Sequence, residues 1–392
     1  MKEFIYIPSF SAGSGGMSGK KNPRLKDGTP WRFWSDEYPE RYRHKSFLVT
    51  AGHNFGKFEY SKQFEFGDDT LVMGDSGGYQ IATGAIKWDI AIREKIFKWL
   101  ENNSNVAMNL DIPTRGVFEG KYQEALAISK DNFAYFEANQ TGKTDFLNVL
   151  QGGTYAKYNN WYDEVSKFQF QGWAVGAAMG NTVSFMAALV TLMERGELMK
   201  PNIKWLHFLG MSSVQEFLIL SQIQKSLNEI GSNVQVMTDS STPSRCAPFG
   251  YYYYQFDLKS LKFQYAHIPR LQDIKDPKDK KMPILNEIDV RIWDTWTLEE
   301  FAQWKAEHYG WLINHNFALF KDCIQHVNAV VNNDKYIRAE FLSKDVLKLL
   351  DAIDLIIKSD NPKSIYDRFI PVFENLNRKE VNTLDHATNE FF

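Results

Sequence analysis

Cysteine is almost missing from this chain: Cys246 and Cys323 are the only two in 392 residues. So sparse a pair excludes the disulfide framework of a small secreted fold and points to a reducing compartment. An excess of one charge is missing too. The formal net charge is −3, so no global basic field advertises a nucleic-acid partner. Met1–Phe10 lacks the basic segment and long apolar run of a secretory signal. One stretch, Trp173–Met193, runs 21 residues without a charge, nominally the length of a membrane span. Gly176, Gly180, Asn181, Thr182 and Ser184 interrupt it, and it divides naturally into a strand, a loop and a helix. The sequence therefore predicts a cytosolic protein with no membrane partner. No internal repeat or low-complexity segment stands out.

What is present is apolar and aromatic material enough for a large core, 44% hydrophobic and 15% aromatic. Eight short apolar runs read as strands: Phe4–Phe10, Phe47–Gly52, Leu71–Gly74, Val106–Asp111, Phe146–Gln151, Trp173–Ala177, Trp205–Gly210 and Val234–Asp239. Amphipathic helical patterns lie between most of them, at Ile90–Asn102, Lys121–Asn139, Tyr155–Phe168, Val183–Arg195 and Ser213–Leu227. Near-continuous apolar strands separated by helices indicate a parallel sheet buried on both faces. Eight of them favour a closed (β/α)₈ barrel, an α/β fold of the TIM type, over an open sheet.

The barrel core is expected over residues 1–250, with segment 11–46 inserted into it. Residues 251–392 read as a C-terminal extension, mostly helical and packed on the barrel, with helices near Glu299–Glu307, Trp311–Asn332, Leu342–Lys358 and Ile365–Leu376. Lys57–Phe66 alternates like a hairpin arm. Between Ser18 and Lys45 stand eight Lys/Arg residues, Lys20 and Lys21 among them, against four acids, with Trp31, Phe33, Trp34, Tyr38 and Tyr42 interleaved. Rings among cations can stack on bases while the cations hold phosphates. The plainer alternative is a solvated loop whose aromatics anchor in the core.

The densest chemistry lies in Gly74–Ile81, G-D-S-G-G-Y-Q-I. It puts a carboxylate, Asp75, at the mouth of a predicted strand. Two glycines follow, which let backbone approach closely, and then an aromatic ring, Tyr79. Catalytic groups of a (β/α)₈ barrel gather at the C-terminal ends of its strands. Read in order, those ends carry Asp75, Asp111, Gln151-Gly152-Gly153, Gly176 to Gly180, Gly210 and Asp239. A single aspartate at a strand end is usually a cap or turn residue. Three aspartates at mouths of one barrel, each beside glycine or small residues, suit recognition and chemistry on a flat heterocycle.

These motifs resemble a family. G-D-S-G-G-Y-Q, Asn109-Leu110-Asp111, Val149 to Gly153, Val175 to Gly180 and Asp239 to Arg245 occur in the order found in tRNA-guanine transglycosylases. The likeness runs from about Pro8 to the helix at His315–Val327. Members of that family are (β/α)₈ barrels that cut guanine from its ribose and insert a 7-deazaguanine. The resemblance implies that Asp239 is the nucleophile attacking C1′ and that Asp75 moves the proton. It implies that Asp111 accepts hydrogen bonds from the N1–H and exocyclic amine of the base. Gln151 and the backbone of Gly176 and Ala177 would read its carbonyl edge. Tyr79 would stack on the ring with Leu209 opposite, and Ser76 would also bind the base. Retention at C1′ requires two displacements through a covalent intermediate, which a carboxylate nucleophile provides.

The sequence also departs from that pattern. The tRNA enzymes carry a structural zinc on a Cys-x-Cys-x₂-Cys cluster followed by a histidine. His315 matches the histidine, but the cysteine cluster is missing, so no cofactor and no metal site is expected. Cys323 and His326 stand one helical turn apart, although a packed cysteine beside a hydrogen-bonded histidine is the commoner meaning of that spacing. The zinc-poor chain with its basic, aromatic insertion resembles more the branch, found in phages and bacterial defence-type clusters, that modifies DNA. The expected partners are then DNA and a free 7-deazaguanine base, in a host cytoplasm if the chain is phage-encoded. The alternatives are tRNA as substrate, a catalytically silent binding subunit, or a barrel hydrolase acting on a free nucleoside. A homodimer or a partner protein is left open. Asn181 stands near where the bacterial tRNA enzymes place a glutamate, and a neutral amide there favours a neutral 7-substituent such as the nitrile of 7-cyano-7-deazaguanine. Arg245 is the leading candidate for a phosphate contact, with Ser244, Gly210, Lys20 and Lys21 as further nucleic-acid contacts.

Overall fold

The computed structural model describes residues 2–9, 34–36, 40–54, 66–176, 180–267 and 306–377. Eight strands form one parallel sheet: β1 (Ile5–Pro8), β2 (Ser46–Thr50), β3 (Leu71–Asp75), β4 (Val106–Met108), β5 (Asp145–Leu150), β6 (Gly172–Val175), β7 (Trp205–Phe208) and β8 (Gln235–Ser240). Each pairs with its sequence neighbour from β2 to β8, and β8 pairs with β1. A parallel bridge between Ser9 and Leu48, with Ser46 Oγ donating to Tyr6 O at 2.9 Å, brings β1 to β2 and nearly closes the ring. The result is a (β/α)₈ barrel with C-terminal helices. The strands form because their apolar positions have cover on both sides: Phe47, Leu48 and Val49 of β2 and Phe146 to Leu150 of β5 are all buried.

The connecting helices begin where capping side chains stand. Asp89 accepts from Ile92 N at the start of helix Ile90–Asn103, and Thr154 accepts from Lys157 N at the start of Tyr155–Val165. Ser213 and Glu216 form a reciprocal capping box at the start of Val214–Glu229. The uncharged stretch Trp173–Met193 is divided between β6 and the helix Thr182–Glu194. Among the described residues no helix is long and apolar enough to cross a membrane.

The C-terminal helices dock on the barrel's outer helices. Asn328 of Ala306–Asn332 accepts from Ser221 Oγ at 2.7 Å. Lys358 at the end of Lys344–Lys358 pairs with Glu229 at 2.6 Å, and Tyr366 of Pro362–Asn377 donates to Val183 O at 3.3 Å. Two elements differ from the sequence reading. The extension begins with an antiparallel hairpin, β9 (Tyr251–Asp257) and β10 (Lys262–His267), where helices were expected to dominate. A short helix, Lys335–Phe341, also precedes Lys344–Lys358. The hairpin is held from the long helix: Asn316 accepts from Tyr253 N at 3.0 Å and donates to Tyr251 O at 3.3 Å. Most of segment 11–46, the hairpin arm expected at Lys57–Phe66 apart from Phe66, and the helix expected near Glu299–Glu307 apart from its last two residues, lie outside the described residues.

Candidate active site

Parallel strands put all their C-terminal ends at one mouth of the barrel. Asp75 is the last residue of β3, and its Oδ1 accepts from Gly77 N at 3.2 Å. Gly77 has φ +86°, a left-handed conformation that suits glycine. Gly78 is required by space. A Cβ on it would lie 2.3 Å from Asp111 O and 3.3 Å from Asp111 Oδ1. The two glycines thus let the β3 loop lie directly against the aspartate that follows β4. Gly78→Ala is expected to destabilise the fold by about 1–3 kcal/mol and to displace Asp111. Equal urea midpoints for variant and wild type would contradict that close approach.

Asp111 is held from behind. Ser129 Oγ accepts from Ile112 N at 2.9 Å, and Asn132 Nδ2 donates to Leu110 O at 3.0 Å. Its Oδ2 accepts from Gln151 Nε2 at 2.6 Å, a charge-assisted length. Burial pushes the carboxyl up to about 7 from an ordinary 3.8; the Gln151 hydrogen bond opposes that, and the nearby Asp75 charge adds to it. Arg115 offsets part of the rise. The folded protein therefore holds a proton on Asp111 that the unfolded chain has lost. This makes stability fall as pH rises from about 4 to about 7, by a few kcal/mol at most. Asp111→Asn should raise the melting temperature at pH 8 and change it little at pH 4. An equal effect at both pH values would contradict the raised carboxyl.

Gln151 is positioned by Gly176, where a Cβ would lie 2.5 Å from Gln151 Nε2. The backbone of Gly176 is otherwise engaged. Its N–H donates to Leu150 O at 3.0 Å, and its carbonyl accepts from the buried Tyr158 hydroxyl at 3.0 Å. This corrects the role expected for Gly176. It gives Gln151 room, but its N–H belongs to the β5–β6 pairing and is not offered to a base. Ala177, the other residue expected at that edge, lies outside the described residues.

Asp239, on β8, is the third carboxylate. Its Oδ1 faces His207 Nε2 at 3.0 Å and accepts from Gly210 N at 3.1 Å. Among the described residues no hydrogen bond reaches Oδ2. The Asp239 side chain keeps 14% of its surface exposed, whereas His207 has none. Gly210 takes φ +74°, which turns its N–H toward the carboxylate. Beneath the site, burial and the Asp239 charge hold the Tyr6 hydroxyl well above its ordinary value.

The remaining candidates divide. Tyr79 is 54% exposed at the rim, and the Arg115 guanidinium lies 5.3 Å from its ring centroid. Leu209 is half-buried on the same mouth, and Ser76 is buried beside Asp75. Ser244 and Gly210 are corrected as nucleic-acid contacts. Ser244 is buried, and its hydroxyl bonds to Ser9 O and Ser241 O, while the Gly210 N–H holds Asp239. Arg245 stands half-buried in the short helix Thr242–Cys246 that follows β8. Lys20 and Lys21 lie outside the described residues. The described part of the basic segment is structural. Trp34 and Tyr42 are buried, Trp34 edge-on to Phe47, and Arg43, Lys45 and Arg41 pair with Asp36, Asp69 and Asp322.

Asn181 is a helix cap. Its Oδ1 accepts from Ser184 N at 3.0 Å and from Asn377 Nδ2 at 3.3 Å. The reading of a 7-substituent from that amide therefore has no structural support. His315 is also engaged: its Nε2 meets Tyr253 O at 2.7 Å, and burial lowers the ring to about 4. Cys323 is buried, whereas His326 is exposed and edges onto Phe341. No group of three or more His, Cys, Asp or Glu able to hold a metal occurs among the described residues.

Two site residues escaped the sequence reading. Arg115 follows Asp111 by four positions along the loop after β4. His207 sits as one polar residue in the apolar run Trp-Leu-His-Phe-Leu, and that interruption was its only signal. The molecule is thus an α/β barrel with three carboxylates at one mouth, one of them deeply buried and one pinned by two donors. No protein-family model and no curated protein matches the chain.

Proposed function

We propose that this chain is a base-exchange transglycosylase that replaces guanine in DNA with a 7-deazaguanine through a covalent aspartyl–glycosyl intermediate. The observation that carries the reading is the asymmetry of Asp239. Oδ1 is held by His207 and Gly210 while, among the described residues, no hydrogen bond reaches Oδ2, so one oxygen is fixed and the other is available to attack C1′. At the same mouth of the barrel, Asp111 and Gln151 offer a buried carboxylate and amide to the edge of a flat base.

In the first displacement the Asp239 Oδ2–C1′ bond forms as C1′–N9 breaks, and a proton passes from Asp75 to the departing guanine. In the second, N9 of the incoming base bonds to C1′ as the C1′–Oδ2 bond breaks, and Asp75 takes the N9 proton. Two inversions give retention. The ionised form of Asp111 accepts from N1–H and the exocyclic amine together. The target base must leave the stack to reach this mouth, at a cost of roughly a few kcal/mol.

DNA is favoured over tRNA because the cysteine cluster of the tRNA enzymes is missing. The hairpin β9–β10 stands after the barrel instead, clamped by Asn316 and His315. The test is incubation with radiolabelled guanine and either DNA or unmodified tRNA, with label counted in acid-precipitable polymer. Label in DNA supports the reading. Label only in tRNA overturns the choice of polymer, and label in neither overturns the activity.

A further inference from the structure

We propose that His207 is the positioning residue of the nucleophile: its Nε2–H fixes Asp239 Oδ1 so that Oδ2 is the oxygen that attacks. The inference rests on the assignment of Asp239 as nucleophile. His207 lies on β7 with no exposed surface, between the buried apolar side chains Leu206 and Phe208. The β7–β8 pairing sets His207 opposite Met237, two residues before Asp239 and on the same face of the sheet, which brings the imidazole beside the carboxylate. Nε2 stands 3.0 Å from Oδ1. An ionised carboxylate only accepts, so Nε2 must carry the proton.

In the neutral ring that leaves Nδ1 a bare acceptor, and Nδ1 is buried with no hydrogen-bond partner among the described residues. A buried acceptor without a donor is unfavourable. Leucine or phenylalanine would pack the same strand without it. The bond to Asp239 is what the imidazole supplies and an apolar residue cannot.

The consequences differ between the two displacements. In the first, His207 and Gly210 orient the carboxylate plane and keep Oδ1 out of competition. In the glycosyl-enzyme, Oδ1 becomes the ester carbonyl oxygen. When the C1′–Oδ2 bond breaks, negative charge returns to the carboxylate, and the two N–H groups stabilise it as it develops. No proton moves to or from His207 in either step. Removing the donor should therefore slow breakdown of the covalent intermediate in particular.

The test compares His207→Leu and His207→Gln with the wild-type full chain in guanine exchange, covalent adduct lifetime and thermal unfolding. Glutamine places an amide N–H at about the reach of imidazole Nε2. His207→Leu is expected to lower kcat about 10²-fold, leave KM for guanine unchanged, and lengthen the life of the denaturant-stable protein–nucleic acid adduct. His207→Gln is expected to recover most of the lost kcat. Wild-type kcat and adduct lifetime in His207→Leu would overturn the inference. So would equal losses in both variants that follow a fall in melting temperature, since those mark packing alone. Nitrogen-15 shifts of His207 give a readout that does not need activity: the Nε2–H tautomer is expected, and an Nδ1–H tautomer overturns the proposal. Wild-type protein inactive on both DNA and tRNA would instead overturn the transglycosylase reading, and this inference with it.

Discussion

Asp239→Asn is expected to abolish guanine exchange, with a fall in kcat on the order of 10⁴-fold or more. The amide cannot form the ester to C1′, so the first displacement has no nucleophile. The change should spare the fold. An asparagine Oδ1 can still accept from the Gly210 N–H and His207 Nε2, which now meet Asp239 Oδ1 at 3.1 and 3.0 Å. On the proposed roles, guanine binding at Asp111 should persist, since Asp239 would act on the sugar and not on the base. The expected signature is an unchanged melting temperature, near-wild-type guanine affinity in equilibrium dialysis, and no label in polymer. Residual exchange above about a hundredth of wild type would move the nucleophile elsewhere.

Asp111→Asn should have the second largest effect, on the base rather than on the sugar. The ionised carboxylate offers acceptors to two parallel N–H donors, whereas the amide offers one acceptor and sets its own NH₂ against the other donor. A hydrogen bond to a charged group contributes roughly 1.5–3 kcal/mol. Its replacement by a donor–donor contact should weaken guanine binding by about 10²-fold or more. The wild-type affinity should also depend on pH. With the Asp111 carboxyl at about 7, affinity should rise from pH 5.5 to 8 as the group ionises, and then level off. The asparagine variant should show no such rise. A wild-type affinity independent of pH would mean that the carboxyl titrates well below 7 or does not bind the base.

The fold was legible because β strands buried on both faces read as apolar runs. All eight runs form strands, although β4 stops at Met108, three residues short of Asp111. The three aspartates were legible for a related reason: strand ends converge at one mouth, so position along a strand stands in for position in space. What the sequence did not disclose depends on where backbone groups point. The Gly210 N–H turns toward Asp239 only through φ +74°, and the Ser244 hydroxyl turns inward to Ser9 O and Ser241 O. In sequence His207 shows only as a polar break in an apolar run, because its partner lies 32 positions away and meets it only through strand pairing. The hairpin β9–β10 was missed because no glycine marks its turn. Asp257 closes that turn instead, accepting from Lys259 N at 2.9 Å and Ser260 Oγ at 2.7 Å, with Leu261 at φ 61°.

The central claim is that Asp239 carries the sugar between two bases, and the most direct measurement is capture of that intermediate. Protein and DNA would be mixed without an incoming base, with released guanine removed by dialysis, then denatured and resolved by size. A denaturant-stable adduct is predicted, attached at Asp239 by peptide mass, lost in Asp239→Asn and discharged when guanine is added back. Guanine exchange proceeding with no adduct at Asp239, or an adduct that survives in Asp239→Asn, would contradict the account.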